Sequence, residues 1–556
     1  MILSMLRRYK KVIDFWKNYI FKKYLFLWLC AIFLECLHYL FIGFIPVCYK
    51  ILIDALGSKN FSQLKLGIIS YISFQFLSLI ALLLQRISRY KIELNVWKDL
   101  NIIMHRKYHT ISYAETLKFP PGEIMQRFVD DLWFLSPLIS YAPSALAGYI
   151  VFFIIIFLLT IKLSPFLWAI LFLYVIIYFL GYKYYYLKKI PVITQTRQKV
   201  YSCYTKELEE SLNNTYDIRL NRGLEGVTQR FMNILKNYIK AHFNFLSLQI
   251  FYQGIFTNGL LGFTTALVLL TGTYLLLKGL LSVGTLVAFV SYNKYLYDLI
   301  SFFTALTQTV EPSMVSLDRI NNILKMKEVY IVKSPKKVNL LDNYPYALEI
   351  KDLDFRFNNI EVFHKLNLVI KKNTFTAIYG ESGVGKTTLL NLLFKLYDVP
   401  NGKIFIFGKD INEFSLEEIF GIISCVTQEP KFFTDTPLNN LKIFHSELNE
   451  ERLKFLIHNL GIKDKFSYFI RKEGEAKLLD FSGGERKLLG IIRGLLSDTS
   501  IWILDEPTSF LDKLTSKKIL EFLKYNSKNK TIIVFSHDIV VREFADEVIE
   551  IKKERL

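Results

Sequence analysis

The residues best suited to chemistry lie in one short run, Gly380, Glu381, Ser382, Gly383, Val384, Gly385, Lys386 and Thr387. It fits the pattern GxxxxGK[ST], with Thr388 opening a helical stretch and an apolar strand ending at Tyr379. Glycines there let backbone N–H groups wrap phosphates, and the following helix N-terminus favours negative charge. Lys386 is placed to neutralise terminal phosphates and Thr387 to ligate Mg²⁺, so a nucleoside triphosphate is the expected ligand.

A second run, Ile501 to Leu504, is an apolar strand that ends in Asp505 and Glu506. Asp505 is placed to hold Mg²⁺, and Glu506 to polarise an attacking water as general base. Alone, a strand ending in two acids is a weak signal. Downstream of a phosphate loop it is a strong one.

Between these runs stands Phe481, Ser482, Gly483, Gly484, Glu485. Here the chain resembles the ATP-binding cassette (ABC) transporter family, whose signature reads LSGGQ. The resemblance implies that Ser482, Gly483 and Gly484 reach the γ-phosphate of ATP held by a partner domain. It also implies roles for Gln428 as the Q-loop glutamine and Mg²⁺ ligand, Asp512 as the D-loop acid, His537 as the switch histidine, and Phe357 as the aromatic that stacks on adenine. Seven motifs stand in family order between Phe357 and His537. There are departures. Position 481 is Phe rather than Leu, 485 is Glu rather than Gln, and Leu488 stands where the family usually has Arg. Gly474 and Glu475, before the signature, are off by one in spacing. None removes a catalytic group, so the resemblance implies an active ATPase using ATP and Mg²⁺.

Such residues need elements to hold them. From about residue 347 the apolar runs Leu348–Phe357, Leu366–Ile370, Thr374–Tyr379, Ser500–Leu504 and Thr531–Phe535 read as strands, with helical stretches between. That is the pattern of an α/β P-loop NTPase domain over 347–556. A polar segment, 326–346, with Lys333, Ser334, Pro335, Lys336 and Lys337, reads as a linker.

Residues 1–325 read differently. About 20 apolar residues cross a bilayer as a helix. Six segments qualify: 25–52, 65–85, 138–161, 165–187, 245–277 and 282–306. The first is too long for a signal-peptide h-region and reads as a retained helix. Residues 6–20 read as an amphipathic interfacial helix. The two long connections, between the second and third and between the fourth and fifth segments, are rich in Lys, Arg and Glu with helical periodicity. With the basic N-terminal segment they are placed in the cytoplasm by positive-inside bias.

That bias also accounts for the net charge of +19, from 69 Lys and Arg against 50 Asp and Glu. The basic residues cluster beside apolar spans and form no stripe with interleaved aromatics, so no nucleic-acid partner is expected. Five scattered cysteines, with no CxxC pair, give no metal or disulfide framework.

Two pairs of ionisable residues stand inside the apolar segments. Glu35 and His38 are three apart, and Lys294 and Asp298 four apart, so each pair shares a helix face. Each pair lines a pathway or satisfies itself within the bundle or at the interface; the sequence leaves both open. Gly122 to Arg127 with Asp130 and Asp131, and Ser282 to Phe289, resemble membrane-domain stretches of the family's exporter branch. The resemblance therefore implies a half-transporter, multi-pass in membrane lipid of a bacterial plasma membrane, with its ATPase domain cytoplasmic. It implies a homodimer, or a heterodimer with a similar half, that exports an amphipathic cargo: drug, lipid or peptide.

Overall fold

In the computed structural model the chain divides into two compact units. One comprises Met1–Lys107 and Pro120–Met326, the other Tyr108–Phe119 and Lys327–Leu556. The structure describes residues 15, 21–119, 121–185, 189–329, 344–357, 360–380, 384–445, 448–460 and 481–551. The expected interfacial helix at 6–20 (apart from Phe15), most of the expected linker, Glu381, Ser382 and Gly383, and Gly474 with Glu475 lie outside the described residues.

The first unit is helical. Its long elements are α1 (Phe21–Gly57), α2 (Phe61–Thr110), α3 (Ala142–Leu163), α4 (Pro165–Tyr184), α5 (Gly259–Leu277) and α6 (Val283–Leu324). α2 has 50 residues. At ~1.5 Å per residue it is about 75 Å long, more than twice the ~30 Å hydrocarbon core. The expected segment at 65–85 is thus the first part of one helix, and the charged stretch after it continues that helix. Likewise the helices Ile190–Asn213 and Leu224–Ile250 pack against each other and build the second charged connection. Tyr204 stacks on Tyr238 and Arg230 pairs with Glu207 at 2.7 Å.

Among the described residues, five helices are long and apolar enough to cross a membrane by length and composition. The expected sixth is helical over Val283–Leu324 but is more polar. Asn293, Lys294, Asp298 and the tyrosines 292, 295 and 297 interrupt the apolar run in its first half. Large side chains such as Phe26, Phe33, Phe76 and Phe166 are exposed on the unit, a surface suited to lipid rather than water.

Within this unit α1 packs along α3 and α6. Gly148 admits Glu35, since a Cβ there would stand 2.5 Å from the Glu35 Cγ. Asp54 of α1 caps α6. Its carboxylate accepts from Gly284 N at 3.0 Å and Ser282 Oγ at 2.9 Å, placing negative charge at the positive helix end.

The second unit holds two sheets. One is antiparallel, in the order β2 (Ile360–Lys371), β1 (Tyr346–Phe357), β4 (Ile404–Ile406), β5 (Lys409–Asp410). The other is parallel, in the order β6 (Ile423–Val426), β7 (Ile501–Asp505), β8 (Thr531–Phe535), β3 (Phe375–Tyr379), β9 (Glu547–Glu550). β3, β7 and β8 are buried at every residue, as parallel strands covered on both faces must be. Helices α7 (Lys386–Leu393), α8 (Gly483–Leu495) and α9 (Lys513–Asn526) pack against this sheet in two apolar clusters. The short helix Tyr113–Thr116 also belongs to this unit. Val329 N donates to Thr110 O at 2.8 Å, Ile111 bridges Glu328, and the Tyr113 ring lies 6.2 Å from that of Tyr397.

Candidate active site

Parallel strands deliver their carboxyl ends to one edge of the sheet, where ligands bind in open α/β folds. β3, β6, β7 and β8 end there: Asp505 is the last residue of β7, and Gly380, Gln428, Glu506 and Ser536 with His537 come just after their strands.

At the end of β3 the chain turns through Gly385, whose φ is +100°. A Cβ there would stand 2.7 Å from the Phe363 ring, so both the dihedral and the packing require glycine. A Cβ on Gly380 would likewise meet Val384 at 2.6 Å. α7 then starts at Lys386, so the N–H groups of its first turn are the free donors of a helix N-terminus. Lys386 Nζ donates to Gly380 O at 3.0 Å and stands 3.7 Å from a Glu506 carboxylate oxygen. Thr387 is exposed, Thr388 half-buried and Val384 buried.

Glu506 is held on every side. Its own backbone is left-handed, with φ +46°, a conformation that is uncommon for a residue with a Cβ and recurrent at functional sites. Its N–H donates to Phe535 O at 2.8 Å. One carboxylate oxygen lies 2.6 Å from His537 Nδ1 and the other accepts from Ser536 Oγ at 3.2 Å. The carboxylate is buried, whereas the His537 side chain is 77% exposed. The arrangement fixes the orientation of the Glu506 carboxylate beside an exposed imidazole.

Asp505 is buried beside Glu506. Burial, then the neighbouring Glu506 charge, pushes its carboxyl above the ordinary range; Lys487 and Lys386 oppose the shift. A divalent cation would relieve that cost. The oxygen donors expected for one, on Thr387, Asp505 and Gln428, are the hard ligands that suit Mg²⁺. Gln428 is exposed.

Ser482 is the N-cap of α8. Its Oγ accepts from Glu485 N at 3.2 Å, while the Glu485 carboxylate accepts from Ser482 N at 2.8 Å and Ser482 Oγ at 2.9 Å. This capping box shows what glutamate does at position 485. Ser482 and Gly483 are exposed, and Gly484 packs on the Phe510 backbone. Asp512 is the N-cap of α9 and accepts from Thr515 N at 2.9 Å and Thr515 Oγ1 at 2.7 Å. Phe357 closes β1 opposite Ile360; its side chain lies outside the described residues.

Residues 5–300 match the description "ABC transporter transmembrane region" and residues 363–509 match "ABC transporter". The chain belongs to the ABC transporter family. It is 26% identical over 483 residues to a probable multidrug resistance ABC transporter ATP-binding/permease protein, YheH, of Bacillus subtilis. That match covers 82% of this chain and 67% of the relative. It is 30% identical over 298 residues to an ATP-dependent lipid A-core flippase of Syntrophus aciditrophicus, covering 52% of this chain and 49% of the relative. A heavy metal tolerance protein of Schizosaccharomyces pombe is 29% identical over 327 residues, 58% of this chain and 38% of its own length. Beyond the first, this chain spans about half or less of the length of these relatives.

For an ABC transporter of this fused type, the structure brings Lys386, Asp505, Glu506, Ser536 and His537 into one cluster. The contacts of Ser482, Gly483 and Gly484 are with Glu485 and Phe510 instead. Sequence reasoning missed Ser536 and Lys487. Lys487 is 1% exposed, and burial, opposed by the charges of Asp505 and Glu506, pushes its ammonium down to about 8. The one signal for it is a cation that interrupts the apolar face of α8, immediately before Leu488 and Leu489.

In the membrane unit, Glu35 and His38 are both buried. His38 Nδ1 lies 3.0 Å from the Ser78 Oγ, whereas Glu35 Oε2 has no hydrogen-bond partner among the described residues. Lys294 and Asp298 are exposed and, among the described residues, form no ion pair. With Asn258, Thr265, Ser291 and Tyr297 they line a cavity of about 430 Å³.

Proposed function

We propose that this chain is an ATP-driven exporter half-transporter, which dimerises to hydrolyse MgATP and moves an amphipathic cargo out of the cytoplasm. The observation that carries the ATPase half is the buried Glu506 carboxylate, oriented by His537 and Ser536 at 3.7 Å from Lys386. In this reading the water oxygen bonds to the γ-phosphorus and the bond to the bridging oxygen breaks, its electron pair leaving on ADP. Glu506 takes the water's proton. Lys386 and the first N–H groups of α7 hold the phosphates, and Phe357 stacks on the adenine. Thr387, Gln428 and Asp505 hold Mg²⁺, which supplies charge neutralisation at the phosphates.

Dimerisation is supported by the exposed N-terminus of α8. Ser482 Oγ and the N–H groups of Gly483 and Gly484 are donors suited to a phosphate, so a second copy, or a similar half, can present its ATP there. Asp512 then stands in the same interface. ATP favours the closed dimer because those contacts form only in it. The segment Tyr108–Phe119, inserted between membrane helices in sequence and grouped with the ATPase unit, is suited to pass that closure on.

For the cargo, support comes from relatives named for multidrug resistance and lipid A-core flipping, and from the cavity of Lys294 and Asp298. Two of the three relatives are bacterial, which supports a bacterial plasma membrane. The decisive experiment compares wild type with Glu506→Gln in reconstituted vesicles. The variant should bind ATP, stay as the ATP-closed dimer and lose about 10²-fold or more of its turnover. Near-normal hydrolysis would remove Glu506 as the base. ATPase stimulation across lipids, cationic drugs and peptides separates the cargo classes.

A further inference from the structure

Lys487 sits on the second turn of α8, which carries the Ser482–Gly484 segment at its start. Its ammonium donates to three backbone carbonyls: Gln428 O at 2.8 Å, Asp505 O at 3.0 Å and Thr427 O at 3.3 Å. An ammonium has three N–H groups, so these acceptors use all of them. Among the described residues no carboxylate oxygen comes within 4.0 Å of it. A buried cation without a paired anion is expensive, and a methionine would fill the same space without that cost. What the lysine adds is the set of three contacts.

Those carbonyls are not scattered. Asp505 ends β7, while Thr427 and Gln428 follow directly on β6, and the two strands are paired neighbours in the sheet. Asp505 and Gln428 are also the residues read here as Mg²⁺ ligands, so this inference rests on that reading. We propose that Lys487 is a positioning residue for the Mg²⁺-binding edge of the ATPase site, tying the Gln428 and Asp505 main chains to one another and to the signature helix α8. The side chains of Gln428 and Asp505 then hold the cation in register only while α8 is seated. Lys487 itself touches neither nucleotide nor metal. Its effect passes through the backbone of two residues that do, as partners behind metal ligands commonly act.

The test uses the full-length protein in lipid nanodiscs, with Lys487→Met and Lys487→Gln. Two quantities are read: the Mg²⁺ concentration for half-maximal ATPase activity, and trinitrophenyl-ATP affinity in EDTA. The methionine variant should raise the half-activating Mg²⁺ concentration by about 10-fold. It should leave the EDTA affinity within about twofold, because Lys487 donates to the carbonyls of Thr427, Gln428 and Asp505 and to none of the described residues of the phosphate loop. Glutamine, which keeps an N–H donor, should recover part of the loss. An unchanged Mg²⁺ requirement in Lys487→Met overturns the proposal, as does an equal loss of affinity in EDTA. Failure of both variants to fold makes Lys487 a residue of stability alone and also overturns it. Asp505→Asn measured alongside separates the two claims: a normal Mg²⁺ requirement there defeats the ligand reading itself.

Discussion

Gly385 answers two demands at once, a left-handed backbone and a missing Cβ beside the Phe363 ring. Gly385→Ala therefore strains φ and pushes the ring together with the loop, at about 1–3 kcal/mol for the backbone alone. Because Lys386 is the next residue, the loss should appear in nucleotide binding as well as in thermal unfolding. An alanine variant with wild-type affinity would mean that the loop can relax without moving Lys386. Lys386→Ala should leave the fold intact and remove a charge-assisted contact of about 1.5–3 kcal/mol, roughly 10- to 100-fold in ATP affinity. Unchanged affinity by titration would mean that the phosphate loop is misassigned. These residues were legible in the sequence because a phosphate loop is local: its glycines, cation and hydroxyl are neighbours in the chain. Ser536 and Lys487 were not. Ser536 acts on Glu506 from 30 residues away, and Lys487 on Gln428 from 59, contacts that only the sheet creates.

At the scale of elements, the strands read most directly were β3, β7 and β8, each a short continuous apolar run bounded by turn or charged residues. Parallel strands buried on both faces give that pattern without alternation. Harder to read was α2, where the apolar segment 65–85 and the charged, helically periodic stretch after it read as a span and a separate connection. The helix continues through it, because a charged face suits water as well as an apolar one suits lipid. The grouping of Tyr108–Phe119 with the ATPase unit is a tertiary fact with no local signal. α8 offers a test at this scale. Its capping box uses Glu485 where the family signature has glutamine. Both residues can close such a box, so Glu485→Gln should be close to neutral in stability, whereas Glu485→Ala should cost about 0.5–2 kcal/mol. Thermal unfolding of the two variants side by side checks this. Equal melting of alanine and glutamine variants would show that the box contributes nothing.

At the scale of the whole molecule, the question is what the polar face of α6 does beside helices apolar enough to cross a membrane. Lys294 and Asp298 are exposed there with no ion pair among the described residues, beside Asn258, Thr265, Ser291 and Tyr297 around a cavity of about 430 Å³. Two charges that face hydrocarbon are costly, which favours a water-filled passage or a contact with a second copy for this face. Neutralising both as Lys294→Gln with Asp298→Asn keeps size and hydrogen-bonding capacity while removing the field. If the face lines the cargo passage, basal ATPase persists, because Glu506 and Lys386 stand in the other unit. Cargo-stimulated ATPase and vesicle transport should then change, most for charged amphiphiles and least for neutral ones. If the face instead meets a second copy, the double variant shifts the monomer–dimer balance in detergent, and basal ATPase falls with it. A variant that matches wild type in stimulation, transport and dimerisation removes both residues from passage and interface alike. Exposed charges contribute only about 0–1 kcal/mol to a fold, so such silence would mark them as solvent-facing.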